Sequence, residues 1–579
     1  MPGNLVLSFL ALKKAASAAF FTLASLLHAF GVLLFAASWL AYDHYRPWVN
    51  FHSESLAFFG VGLFVASRCM MANNEFSATP KIIFWVFAVM LVPWIQYVLN
   101  ISFFAGDALM GSLFLYGLAA AIWLGFSYAK GSNDEQLLLP VFCVLWIVAI
   151  VSAAIGLLQW LNLQDYFTVY VVQTDFGDRA MGNLGQPNQL ATLMLIGIAS
   201  LIWTFEKKQI GVTGLVAGVA FLTLALVLTR SRSGMLSGLV MSGFLLWKCQ
   251  PRASRLKPSY IFVWAVTYGI CLLATPYVQD FLILGDSRSM NVAVDIARPI
   301  IWKQVLTGIS HAPWFGYGWN QTPTAHSFGS IAVPGLLTYT NAHNIVLDLV
   351  AWTGIPLGLF LTGLCGWWFV SRIYRVSQVN AVYAMAALLP VLVHSMVEYP
   401  FAYSYFLLAS GLMIGIVEAE HVGLKTACLK RWWIAGSLAI WFVIGGGIVH
   451  EYLQIEKDFV VVRFENLRVG QTPTEYMAPH IVLLSHMGAM LDALREKAKP
   501  DMSPEALESL RKASLRFSQG PLNLRYAIAL GLNGFPVEAT RQFAIIRGMY
   551  GPRYYQAAVN AMRELQAEKY PELSQVVTR

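Results

Sequence analysis

The sequence predicts an all-α, polytopic membrane protein, and three observations carry that reading. Hydrophobic residues fill 57% of the 579 positions and charged residues only 12%, with a mean hydropathy of +0.58, values outside the range of water-soluble domains. Apolar runs of about 17 to 25 residues, each able to cross a hydrocarbon core of about 30 Å as a helix, recur through the first 450 residues. Beyond 450 the pattern stops: residues 451–579 carry 30 charged side chains and no membrane-length apolar run. The chain therefore divides into a transmembrane domain, 1–450, and a soluble helical domain, 451–579.

In order, the runs are 17–42, 54–72, 80–99, 108–128, 137–161, 189–204, 209–228, 231–247, 259–277, 343–371, 380–397, 399–418 and 432–450, about thirteen spans by length and hydropathy. The first is too long, and followed by too many others, to be a cleaved signal peptide. Lys13 and Lys14, Lys81, Lys130, Lys207 and Lys208, the segment 248–257, Arg372 and Arg375, and the segment 425–431 fall on alternate connections. Positive short loops stay on the cytoplasmic side. The N-terminus is thus expected inside, and residues 451–579 outside with two longer connections, 162–188 and 278–342. All six cysteines fall in spans or cytoplasmic loops, so no disulfide framework is implied. The pI near 9.0 follows from the positive loops, and no patch for nucleic acid is predicted.

Two arginines break the charge rule. In LTLALVLTRSRSGMLSGLVMSGFLLW, Arg230 and Arg232 stand on the expected outer side, where the same side adds Arg179 (GDRAMGNLGQPNQLATL), Arg288 and Arg298 (ARPIIWKQVL). The carboxylates nearby are chiefly Asp175, Asp178, Asp286 and Asp295. Guanidinium groups near an outer leaflet suit an anionic headgroup such as a lipid-linked phosphate or diphosphate, because they keep their charge and bind phosphate oxygens in pairs. The plain alternative is that they snorkel to the interface or pair with those aspartates.

A second signal is TYTNAHNIVLDLVAWTGIPLG, where His343 and Asn344 open an apolar helix directly after the 278–342 loop. A histidine there is a plausible general base for a hydroxyl acceptor, or else a capping or packing residue beside ordinary helix-start asparagines. Asn188 and Gln189, in GQPNQLATL, begin another helix whose N-terminus is an anion site by its free N–H groups, although the local pattern reads first as structure. His394 and Glu398, spaced i, i+4, share one helix face as a polar intramembrane pair or as site support. No P-loop, HExxH or CxxC occurs, so neither a nucleotide, a metal nor any other cofactor is expected.

Together, RAMGNLGQPNQLATL, SRSGML, ARPIIWKQVLTGISHAPWFGYGWN, HNIVLDLVAWTG and HSMVEYPFAYSYFLL resemble the bacterial PglL-type O-oligosaccharyltransferases, within the superfamily of O-antigen ligases and O-antigen polymerases. RPWVNFHSESLAFF and LVPWIQYVLNISFFAGDAL resemble the region that marks the protein-glycosylating branch. The resemblance implies an inner-membrane glycosyltransferase that moves a preassembled glycan from undecaprenyl diphosphate to Ser or Thr hydroxyls of exported protein, typically pilin, on the periplasmic face. By the same resemblance Arg232 and Arg298 hold the donor's phosphates, with Arg230 and Arg179 beside them, and His343 is the essential loop histidine. The pattern of His-Asn, nine residues, then Gly is met by His343, Asn344 and Gly354; the small position three residues on is Leu357, with Gly358 one step late.

An O-antigen ligase acting on lipid A-core, a chain-extending polymerase, and a transporter or flippase of lipid-linked glycan are the competing readings. The tail alternates amphipathic runs with Gly and Pro breaks and resembles tetratricopeptide-like helix pairs. Its expected role is docking of the acceptor protein, or else a stabilising cap.

Overall fold

The computed structural model describes residues 3–71, 76–131, 134–175, 177–248, 254–281, 291–335, 338–421 and 426–578; Asp286 and Arg288 lie outside them. The helices are α1 Gly3–Leu40, α2 Phe51–Met71, α3 Ile82–Met90, α4 Val92–Val98, α5 Ala105–Ala129, α6 Asp134–Trp160, α7 Pro187–Glu206, α8 Val212–Leu228, α9 Arg232–Lys248, α10 Pro258–Phe281, α11 Asn291–His311 and α12 Thr322–Ala332. They continue as α13 Ile345–Ile373, α14 Val379–Ser395, α15 Ser404–Ala419, α16 Arg431–Leu467, α17 Ser485–Arg495, α18 Pro504–Phe517, α19 Gly520–Leu532 and α20 Pro536–Glu568. The expected spans fall on these helices one by one except 80–99, which the structure divides between α3 and α4 at Leu91. Among the described residues eight are long and apolar enough to cross a membrane, and α8, α14, α15 and the stretch Ile82–Val98 are shorter apolar helices. One short antiparallel ribbon, β1 Phe76–Thr79 with β2 Ala427–Lys430, joins segments far apart in sequence.

The chain forms two compact units. The first comprises 1–89, 114–289 and 369–445, and α7 is its buried centre, packed by α6, α8, α9 and α14. A helix surrounded on all sides must be apolar all round, and the ring of Trp203 shows how its few polar atoms are satisfied: it stacks on Phe142 at 4.2 Å while its N–H donates to Asn380 Oδ1 at 2.9 Å. Small residues let backbones touch, as at Gly125, where a Cβ would meet Leu412 O at 2.1 Å. Arg372 donates to Glu418 at 2.5 Å in a buried ion pair that fixes the end of α13 on α15.

The second unit comprises 90–113, 290–368 and 446–579. Here α11 and α12 pack so closely that only glycine fits at two positions: a Cβ on Gly308 would sit 2.0 Å from Ala325 O, and one on Gly329 1.8 Å from Gln304 O. Against α12 lie α18 and α20 of the tail. Gly335 N–H donates to Gly548 O at 2.7 Å, and the hydroxyls of Ser327 and Ser518 share a hydrogen bond of 3.0 Å. Arg516 grips the buried Asp107 at 2.8 Å, and Gln321 donates to the same carboxylate at 3.0 Å.

Where the sequence predicts one helix over 343–371, the structure breaks it. Gly354 takes φ 81° and ψ 168°, a backbone region open mainly to glycine. Trp314 O would lie 2.3 Å from any Cβ there, and Ile355 N–H donates to Pro313 O at 2.7 Å. The chain bends enough that a Cβ on Gly358 would come within 2.6 Å of Val350 Cα, atoms that eight residues of straight helix would hold about 12 Å apart. Gly358, one residue past the position where the sequence pattern expects a small side chain, sits at the inner face of this bend.

Two expectations on stability follow. Arg372→Ala takes the guanidinium from the buried Glu418 carboxylate and should cost about 3–5 kcal/mol, read as a large loss of thermal stability in detergent, while the pair replaced by Met and Gln recovers most of it. In α17, burial lowers the His486 pKa to about 4, so between an unfolded value of about 6.5 and 4 the unfolded state binds the extra proton. Stability is full above pH 6.5 and falls on acidification by at most about 1.4 kcal/mol per pH unit from this group; His486→Gln should flatten that part of the pH–stability curve.

Candidate active site

In the first unit the GNLGQPNQ segment is held by three side chains. Gln159 Oε1 accepts from the N–H groups of Met181 and Gly182, and its amide donates to the carbonyls of Val172 and Gly182. Asn183 ties the segment to Leu40 O, Tyr170 O and Val172 N–H. His44 Nε2 meets Asn183 O at 2.7 Å. Gly182 and Gly185 take φ of 60° and 71°, which turns the chain into Pro187 at the start of α7.

Asn188, one residue into α7, is the hub. Its Oδ1 accepts from Ser231 Oγ at 2.8 Å and from Arg179 Nη2 at 3.2 Å, and its amide donates to Glu398 Oε1 at 3.3 Å. Ser231 immediately precedes α9 and its Oγ also accepts from Gly234 N–H at 2.9 Å, so it caps that helix. The N-terminal ends of α7 and α9 are therefore joined through one carboxamide. Arg179 Nε donates to Thr229 O at 2.6 Å, beside Arg230, which adopts φ 46°. Arg232 is the first residue of α9 and is exposed. Two helix N-termini and the segments bearing Arg179, Arg230 and Arg232 thus meet in one place, an arrangement of positive potential.

His394 and Glu398 are both buried, at 1% and 4% exposure. His394 Nδ1 shares a hydrogen bond of 2.9 Å with Thr192 Oγ1, which also donates to Asn188 O at 3.0 Å. Both members of the i, i+4 pair therefore reach Asn188, one directly and one through Thr192. Gln189 turns elsewhere: its Oε1 accepts from Tyr405 OH at 3.0 Å and its side chain is buried.

In the second unit lie Arg298, His343 and Asn344. Arg298 is a half-buried residue of α11. Asn344 Oδ1 accepts from the N–H groups of Val346 and Leu347 at 3.0 and 3.2 Å, capping α13. His343, just before it, is half-buried with φ 53°, and its ring meets that of Tyr339 edge-on at 5.4 Å. Tyr339 in turn meets His326 at 5.8 Å. His326 Nε2 is 2.9 Å from Gln304 Oε1, and burial lowers its pKa to about 4, so it stays neutral near pH 7. Sequence reasoning missed Ser231, Thr192 and Tyr339. Ser231 stood inside the quoted SRSGML, where a serine just ahead of a helix is a capping signal.

Chemically, the first group can hold an anion and the second can accept a proton from a hydroxyl. Among the described residues no three His, Cys, Asp or Glu side chains gather as a metal site would need.

Comparison with known proteins agrees with these features. Residues 217–362, from α8 to the bend of α13, match the model described as O-Antigen ligase. Residues 180–205 match Protein glycosylation ligase, and residues 382–565 match Virulence factor membrane-bound polymerase, C-terminal. The chain is 27% identical over 541 residues to a general O-oligosaccharyltransferase of Acinetobacter baylyi (strain ATCC 33305 / BD413 / ADP1), covering 90% of this chain and 92% of that protein. It is 27% identical over 353 residues to the ComP-specific O-oligosaccharyltransferase of the same organism, covering 59% and 62%. The resemblance carried by RAMGNLGQPNQLATL, SRSGML and HNIVLDLVAWTG holds: these stretches fall in the regions matching Protein glycosylation ligase and O-Antigen ligase, and the chain is similar to O-oligosaccharyltransferases.

Proposed function

We propose that the protein transfers a preassembled glycan from an undecaprenyl diphosphate carrier to Ser or Thr hydroxyls of exported proteins such as pilin, on the periplasmic face of the inner membrane. The observation that carries this reading is the joint at Asn188, which gathers two helix N-termini with Arg179, Arg230 and Arg232. A diphosphate fits such a place, because preorganised cations and N–H dipoles favour the charge that grows on the leaving group as the glycosidic bond breaks. Arg298 is assigned to the same donor from α11.

His343 takes the proton of the acceptor hydroxyl, whose oxygen attacks the anomeric carbon while the lipid diphosphate departs with the bonding electrons. A single displacement of this kind inverts the anomeric centre. The tail, 451–579, serves the acceptor protein, a role supported by its size and by its packing on α12 in the unit that carries His343.

Purified protein, lipid-linked glycan and pilin in detergent should yield mass-shifted pilin. Transfer only to lipid A-core would favour the ligase reading, and absence of any covalent product would favour transport. Because arginines meet the developing charge, transfer should survive EDTA; a loss restored by divalent ions would replace that account.

The proposed roles separate in donor binding. His343→Ala should bind lipid-linked donor normally and transfer almost nothing. Arg232→Ala and Arg298→Ala should lose donor affinity about tenfold to a hundredfold, since each removes a charge-assisted contact of about 1.5–3 kcal/mol. Lysine at either position should restore only part, keeping the charge but not the paired donors. Equal donor binding by all three alanine variants would refute the assignment.

A further inference from the structure

Asp348 lies one turn into α13, five residues after His343, and no motif in the sequence singles it out. It is 0% exposed. Its Oδ1 accepts from Ala342 N–H at 2.8 Å and from Thr322 Oγ1 at 2.6 Å. Thr322 also accepts from the Trp352 indole N–H at 2.7 Å, one turn further along the same helix, and Trp352 O accepts from Gln96 Nε2 at 2.7 Å. The carboxylate is therefore anchored to the start of α12 while it reaches backwards over the N-terminus of its own helix.

What it holds is the turn that carries His343. Asn344 cannot do this, because its Oδ1 is committed to Val346 and Leu347. The N–H of the buried Ala342 donates to Asp348 Oδ1, and the next residue, His343, sits at φ 53°, a left-handed conformation that L-residues avoid unless their surroundings impose it. The carboxylate is also close enough to interact electrostatically with His343.

We propose that Asp348 is a positioning residue for His343, fixing the 341–344 turn in the left-handed conformation that presents the imidazole to the acceptor. The proposal rests on the reading of His343 as the acceptor's base. It acts through backbone geometry: the hydrogen bond from Ala342 N–H sets the peptide plane between Asn341 and Ala342, one residue ahead of His343, and Asn344 caps the helix that begins just after it. Tyr339 walls the imidazole on its ring edge.

The test uses the full chain in detergent, with a polyprenyl-diphosphate-linked oligosaccharide and pilin as substrates. Hydrogen exchange over residues 338–347 reads the turn without reference to catalysis. Asp348→Ala should speed exchange there about tenfold or more and lower kcat about 10- to 100-fold, the scale for misplacing an acid–base group, with donor binding unchanged. Asp348→Asn keeps an Oδ1 acceptor, so it should retain slow exchange and recover most of the rate. In a His343→Ala background, Asp348→Ala should cost nothing more, since residues acting as a unit are not additive.

Unchanged exchange in Asp348→Ala would overturn the proposal, as would donor binding falling in step with kcat, or full additivity with His343→Ala. Should Asp348→Ala not accumulate, Thr322→Val loosens the same anchor and must give the same direction in exchange and kcat. Normal transfer by His343→Ala would end the base reading alone; exchange and the Asn rescue still decide whether Asp348 holds the turn.

Discussion

The carboxamide of Asn188 is the joint on which the first unit's polar chemistry depends. An α-helix leaves its first N–H groups without intrahelical partners, and two such ends brought together would repel a cation. Asn188 reconciles them, because one side chain can both accept and donate. Its oxygen takes Ser231 and Arg179, and its amide reaches Glu398. An aspartate at 188 could accept but not donate to Glu398, and a leucine could do neither. The positive potential that remains around Arg179, Arg230 and Arg232 is thus built into the backbone as well as the side chains.

The second unit solves a different problem, how to hold a half-buried histidine on a left-handed turn. Here the constraint is close backbone approach. Gly308 and Gly329 let α11 and α12 touch, and Gly354 lets the start of α13 fold against the 313–318 segment, where Tyr317 and Gly318 N–H groups donate to Ala351 O and Trp352 O. The turn at His343 is fixed between these contacts. The tail belongs to the same construction: α18 and α20 pack on α12, so residues such as Arg516 and Gly548 support the helix that Asp348 grips through Thr322.

The helical class and the places of most apolar runs were legible because burial in hydrocarbon leaves a signal in length and composition. The bend at Gly354 was not. Its left-handed φ is required by Trp314, forty residues earlier, and nothing in TGIPLG announces that partner. The β1–β2 ribbon pairs four-residue segments 350 positions apart, with no alternation long enough to read. The helix α16 runs past the sequence break at 450 to Leu467, because a change from apolar to amphipathic alters a helix's surroundings without ending it. Of the site, the arginines announced themselves by standing against the charge rule, whereas Ser231, Thr192 and Asp348 are ordinary residues whose importance lies in what they touch.

Each unit carries a polar network of its own. Asn188, Ser231, Arg179, Thr192, His394 and Glu398 bond among themselves, as do Asp348, Thr322, Trp352 and the turn before Asn344. The first network binds the start of α7 to the start of α9, and the second binds the start of α13 to the start of α12. In both, a side-chain oxygen at a helix N-terminus accepts from backbone N–H groups that the helix itself leaves open, Ser231 from Gly234 and Asn344 from Val346 and Leu347. Each polar cluster is therefore held by the ends of helices rather than by their middles, where the backbone has no donors to spare.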